Sequence, residues 1–130
     1  MLHHLTVWVP DLDRAGRPWR WLLGELGYRL DDSTLAGVLL FRRPSEPTIV
    51  LEQSADMVPG MLHSRFRPGL NHLAFTVESA SALRDVVKQA HEHGWSLLPT
   101  DGHSIAGGAD VAYLEDGDGF EVELVAPFGD

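Results

Sequence analysis

The sequence predicts an α+β fold: two tandem βαβββ modules whose strands form a curved mixed sheet around a cleft. Three observations carry this. A phrase occurs twice, as His4-Leu-Thr-Val-Trp-Val9 and as His72-Leu-Ala-Phe-Thr-Val77. Each copy runs into a segment with helical apolar spacing that ends in Gly-aromatic-X-Leu, at Gly27–Leu30 and at Gly94–Leu97. Each of those is followed by short stretches of strand character separated by turn residues.

The elements follow in order. Leu5, Val7 and Val9 alternate with His4, Thr6 and Trp8, so the first strand has two unlike faces. Pro10 ends it, and Asp11 or Asp13 is a natural N-cap for the next helix. Trp19, Leu22, Leu23 and Leu26 give that helix its apolar stripe. Pro18 predicts a helix that starts near it or kinks there, and Gly27 is the expected C-cap. Strands are expected at Tyr28–Asp31, Leu35–Arg42 and Thr48–Gln53, with a turn at Ser45-Glu46-Pro47. The second half repeats the order. A strand at Asn71–Val77 precedes a helix at Ser81–His93, striped by Leu83, Val86, Val87 and Ala90. Strands at Ser96–Leu98, Ala109–Leu114 and Phe120–Val125 complete it. Asp116-Gly117-Asp118-Gly119 is a hairpin turn. This places module 1 at 1–58, a polar connector at 54–70 and module 2 at 71–130, within a single domain of 130 residues.

Composition narrows the function. The absence of cysteine excludes disulfides, thiolate metal sites and a cysteine nucleophile. A net charge of −9 without a basic tract argues against nucleic acid and anionic membrane as partners. No apolar run reaches the roughly 20 residues of a membrane span, and the N-terminus lacks the pattern of a signal peptide. A soluble cytoplasmic protein is expected. The single lysine, Lys88, falls mid-helix, which argues against Schiff-base chemistry.

Strand parity sorts the polar residues. If Leu5, Val7 and Val9 pack on the helix, His4 and Trp8 point to the opposite, open face. His72 does the same in the second copy. In the last strand, Phe120, Val122 and Leu124 leave Glu121 and Glu123 on the open face, and in the first half Glu52 falls there too. His4, Glu52, His72 and Glu123 thus all project toward the expected cleft. Imidazole and carboxylate suit a divalent transition metal, with positions left for water: zinc, nickel, cobalt, manganese or iron. Trp8 reads as a cleft wall or as a contact between halves. Glu121 reads as ligand, base or surface residue, and Arg65 and Arg67 as a clamp for an anionic substrate or as solvated charges. His103, in a loop, is an acid/base candidate. His3 has the wrong parity and reads as structural. His91 and His93 suit a helix C-terminus.

With these residues in place, the chain resembles the vicinal oxygen chelate superfamily, which includes glyoxalase I, extradiol dioxygenases, fosfomycin-resistance enzymes and bleomycin-binding proteins. The carriers are His4-Leu-Thr-Val-Trp-Val-Pro-Asp-Leu-Asp-Arg14, Asn71-His-Leu-Ala-Phe-Thr-Val77 and Tyr113-Leu-Glu-Asp-Gly-Asp-Gly-Phe-Glu-Val-Glu-Leu-Val125. The resemblance implies His4, His72 and Glu123 as metal ligands and Glu52 as the further glutamate of glyoxalase-type members. Gly117 departs from the usual proline and Phe120 from the usual asparagine or tyrosine. The resemblance also implies a homodimer, with halves paired within a chain or swapped between two chains. The implied activity is that of a glyoxalase-like lyase or isomerase. Its metal would chelate two neighbouring oxygens, and Glu52 or Glu123 would move the proton. A bleomycin-resistance-type binding protein without chemistry and an extradiol-type dioxygenase are the alternatives.

Overall fold

The computed structural model describes residues 1–32, 35–99 and 110–127. They form two compact units, Met1–Leu62 and His63–Asp130. Each unit is a four-stranded mixed sheet with one principal helix, and the order of elements is the same in both: strand, helix, then three strands. The chain is therefore α+β, in the tandem βαβββ arrangement.

In the first unit, β1 (His4–Trp8) is followed by α1 (Leu12–Glu25), β2 (Arg29–Leu30), β3 (Val38–Arg42) and β4 (Thr48–Glu52). The spatial order is β1-β4-β3-β2. β1 lies parallel to β4, and the other pairs are antiparallel. Parity holds along β1: Val7 and Val9 are buried, while His4, Thr6 and Trp8 are exposed. α1 packs on β3 and β4 through Ala15, Trp19, Leu22 and Leu23.

The start of α1 corrects the expectation set by Pro18. The helix begins at Leu12 and runs through Pro18 to Glu25. Asp11 is the cap: its Oδ1 accepts from the Arg14 N–H at 3.0 Å. The Leu12 N–H is held by Gln53 Oε1 at 2.8 Å, which ties the helix start to the end of β4. An internal proline costs about 3 kcal/mol. Burial of Trp19, Leu22 and Leu23, each worth about 1.5–3 kcal/mol, outweighs it.

β3 is also shorter than expected. Leu35 makes only an isolated bridge to Val38 around a tight turn. Gly37 sits there at φ 75°, with the Gln53 carbonyl 3.1 Å from where a Cβ would be. Only glycine fits both constraints.

The second unit contains β5 (His72–Thr76), α2 (Ala80–Gln89), a 3₁₀ turn (Ala90–His93), β6 (Ser96–Leu98), β7 (Val111–Glu115) and β8 (Glu121–Val125). Its order, β5-β8-β7-β6, repeats that of the first unit, and β5 lies parallel to β8. Ser79 caps α2, its Oγ accepting from the Ala82 N–H at 3.0 Å. The α-helix ends four residues before His93; the 3₁₀ turn fills that gap and stops at Gly94, φ 87°. Ala109, expected to start β7, and His103 lie outside the described residues.

The β7–β8 hairpin is pinned by a buried acid. Asp116 is 5 % exposed. Its Oδ1 accepts from the N–H groups of Asp118 at 3.0 Å and Phe120 at 2.9 Å. Phe120 in turn stacks on His63, with ring centroids 4.0 Å apart. His63 Nε2 is buried and has no hydrogen-bond partner among the described residues. Burial holds the His63 pKa below its ordinary value; Asp116 opposes the shift, and Arg65 and Arg67 add to it.

Two outcomes are expected. Asp116→Ala strands two hairpin N–H groups and lowers unfolding stability by about 2–3 kcal/mol, read by urea denaturation; a loss under about 0.5 kcal/mol would contradict the pinning role. His63 binds protons less readily folded than unfolded. Its contribution is therefore fully present above the unfolded value near 6.5 and shrinks as pH falls below it. His63→Phe keeps the stacking without the titration, so melting temperature should fall less between pH 7.5 and pH 5 than in the wild type. Parallel pH profiles would refute this.

Candidate active site on the second sheet

Parallel pairing of β5 with β8 sets His72 beside Glu121 and Ala74 beside Glu123. Paired residues share a face, so the imidazole and both carboxylates stand on the open side of one sheet. The small Ala74 side chain leaves His72 room to lean diagonally. As a result the ring lies between two acids. Nδ1 is 3.5 Å from Glu121 Oε2, and Nε2 is 3.3 Å from Glu123 Oε1. Glu123 is 2 % exposed, an environment in which a carboxylate needs a partner.

The residue before His72 fixes its proton. Asn71 Nδ2 donates to the Arg65 carbonyl at 2.9 Å. The Asn71 Oδ1 is thereby the atom that faces His72 Nδ1, at 2.7 Å. An oxygen acceptor there requires Nδ1 to carry the hydrogen. In the neutral ring, Nε2 then presents a lone pair, and that lone pair faces the buried Glu123 carboxylate. Two acceptors 3.3 Å apart repel unless a positive charge, either a proton on Nε2 or a metal ion, lies between them.

A divalent ion fits that gap. Two donors about 2.1 Å from a common ion stand about 3.0–3.4 Å apart at bond angles of about 90–109°. A nitrogen and a carboxylate oxygen are suitable donors for zinc, manganese or iron. Orientation of a ligating imidazole through its other nitrogen, here by Asn71, is the usual support for such a site. Among the described residues no three His, Asp or Glu side chains converge on one point. The second unit thus supplies a donor pair.

Around this pair, β7 adds Tyr113 opposite Glu123 and Glu115 opposite Glu121. The Tyr113 ring lies edge-on to His72, centroids 6.2 Å apart. Arg65 forms an ion pair with Glu115, approaches Glu121 at 3.9 Å, and donates to the Gly119 carbonyl at 3.4 Å. Arg67 lies at the surface, its N–H donating to the Ser64 carbonyl at 3.2 Å. Tyr113, Glu115 and Asn71 were not among the residues singled out from sequence. The alternation of β7, with Ala112 and Leu114 buried, carried the signal for the first two.

The first unit repeats the backbone but not the chemistry. His4 pairs with Thr48 and Thr6 with Val50. Threonine and valine therefore occupy the places of Glu121 and Glu123. His3 stands where Asn71 stands in the repeat, and its Nδ1 lies 2.8 Å from His4 Nδ1. Glu52 shares the open face but pairs with Trp8, at the far end of the strand from His4. The Trp8 indole Nε1 donates to Glu52 Oε1 at 2.8 Å. Glu52 is thus two positions beyond the counterpart of Glu123.

Comparison with known proteins places the chain in a family. Residues 3–113 match the model of the Glyoxalase/Bleomycin resistance protein/Dioxygenase superfamily. The uncharacterized protein YqjT of Bacillus subtilis is 33% identical over 128 residues, covering 97% of this chain and 98% of that protein. A Bacillus halodurans structure, provisionally assigned as a glyoxalase, is 32% identical with TM-score 0.84, covering 98% of this chain and 96% of that one. A variant of the fosfomycin resistance protein FosX from Listeria monocytogenes was solved with Mn(II) and 1S,2S-dihydroxypropylphosphonic acid. It shares the fold at TM-score 0.67 and 18% identity, covering 96% of this chain and 88% of that one. With its matched model, its relatives and its repeated βαβββ units, the chain belongs to the Glyoxalase/Bleomycin resistance protein/Dioxygenase superfamily.

Proposed function

We propose that the protein is a metal-dependent enzyme of the glyoxalase-like kind, acting as a lyase or isomerase on a small substrate with two neighbouring oxygens. The observation that supports this is the pair of facing acceptors, His72 Nε2 and Glu123 Oε1, 3.3 Å apart with Glu123 buried. His72 and Glu123 would hold a divalent ion, and His4 and Glu52 enter as further ligands through the family resemblance alone. A divalent ion bound there supplies Lewis-acid stabilisation of negative charge growing on a substrate oxygen. The protein's own groups do the rest. Asn71 keeps the His72 ring in one tautomer. Glu123 moves the substrate proton as general base, with Glu52 as the other carboxylate in that role. Glu121 holds the Nδ1 side of the ring and compensates Arg65.

A second reading is a binding protein without chemistry. It is favoured by one feature: Val50 occupies the counterpart of Glu123 in the first unit.

Mn(II) titration followed by electron paramagnetic resonance separates the two. The wild type should take up one Mn(II) per chain, and His72→Ala and Glu123→Gln should each weaken it at least tenfold, about 1.4 kcal/mol. Equal affinity in all three proteins, or no uptake by the wild type, would contradict the metal-dependent reading. Retention of small-molecule binding by such a metal-free protein would establish the second.

A further inference from the structure

The second unit carries a cavity of about 430 Å³ beside the donor pair, within the size range of small-molecule sites. Its walls include Phe66, Leu98 and the Tyr113 ring, and its polar edge is formed by Arg65, His72 and Glu121. An arginine at the mouth of a pocket ordinarily marks an anion site. Here the arginine is already committed. Its guanidinium pairs with Glu115, stands 3.9 Å from Glu121 and donates to the Gly119 carbonyl. Its side chain is 18% exposed, and its Cζ lies 5.0 Å from the centre of the Phe66 ring. One positive group thus meets two carboxylates, and one of them, Glu121, also stands 3.5 Å from His72 Nδ1. A substrate anion reaching Arg65 would have to displace an existing carboxylate and then sit beside it.

We infer that this cavity takes a neutral or cationic substrate with a flat apolar body, and rejects an anionic one. The apolar body lies against Phe66, Leu98 and Tyr113, while its two neighbouring oxygens face His72. The inference deepens the proposed function and rests on it for the orientation of the substrate. The charge preference itself depends only on Arg65 and its two acids.

Three catechols of one shape separate the charges: 4-methylcatechol, dopamine and 3,4-dihydroxybenzoate, neutral, cationic and anionic at the end away from the hydroxyls. Each is titrated calorimetrically, without oxygen, into the full chain with and without Mn(II). The wild type should bind the first two at least tenfold more tightly than 3,4-dihydroxybenzoate in both conditions. Glu115→Gln, which leaves Arg65 with one acid, should narrow that ratio at least threefold. Equal or tighter binding of 3,4-dihydroxybenzoate, an unchanged ratio in Glu115→Gln, or binding of none of the three would overturn the inference. Failure of the metal-dependent reading shows differently: Mn(II) would leave all three affinities unchanged while the ratio among them persisted.

Discussion

The site depends on one constraint, the register of β5 against β8. Parallel pairing sets Ala74, not a large residue, beside Glu123. His72 can then reach across the strand to a carboxylate that the sheet has buried. A shift of one residue would turn every one of these side chains to the helix side. The Asp116 turn fixes where β7 reverses into β8, because one carboxylate oxygen accepts from two N–H groups of the hairpin. Stability of the hairpin and chemistry of the site are one structural problem.

Duplication of the unit makes the second sheet informative by contrast. Backbone, strand order and histidine recur, and each histidine has a neighbour, His3 or Asn71, that approaches its Nδ1. The acids do not recur. Where the second sheet has Glu121 and Glu123, the first has Thr48 and Val50. The two halves share one fold while dividing the polar work unequally, and among the described residues both buried acids, Asp116 and Glu123, lie in the second.

Much of the fold was legible in the sequence because alternation and repeated phrases report the faces of strands directly. Parity alone put His72, Glu121 and Glu123 on one side of a sheet. Parity does not report position along a strand, so Glu52 read as a companion of His4 although pairing sets it beside Trp8. Pro18 read as a helix start or a kink because local propensity was visible and the burial of Trp19, Leu22 and Leu23 was not. Arg65 read as an anion clamp or a solvated charge because a sequence shows its charge but not the Glu115 and Glu121 carboxylates that occupy it. Asn71 gave no signal, since its role is to choose which nitrogen of the next residue carries a proton.

That proton is the centre of the account. If Asn71 holds the hydrogen on His72 Nδ1, the Nε2 lone pair faces Glu123 and calls for a cation between them. Nitrogen-15 NMR of the imidazole rings, recorded on metal-free protein and again with Zn(II), reads this directly, with His72→Ala assigning the signal. The account predicts a neutral ring protonated at Nδ1, whose Nε2 resonance shifts on adding Zn(II) while Nδ1 keeps its proton. A ring protonated at Nε2 in the metal-free protein, unmoved by Zn(II), would contradict it.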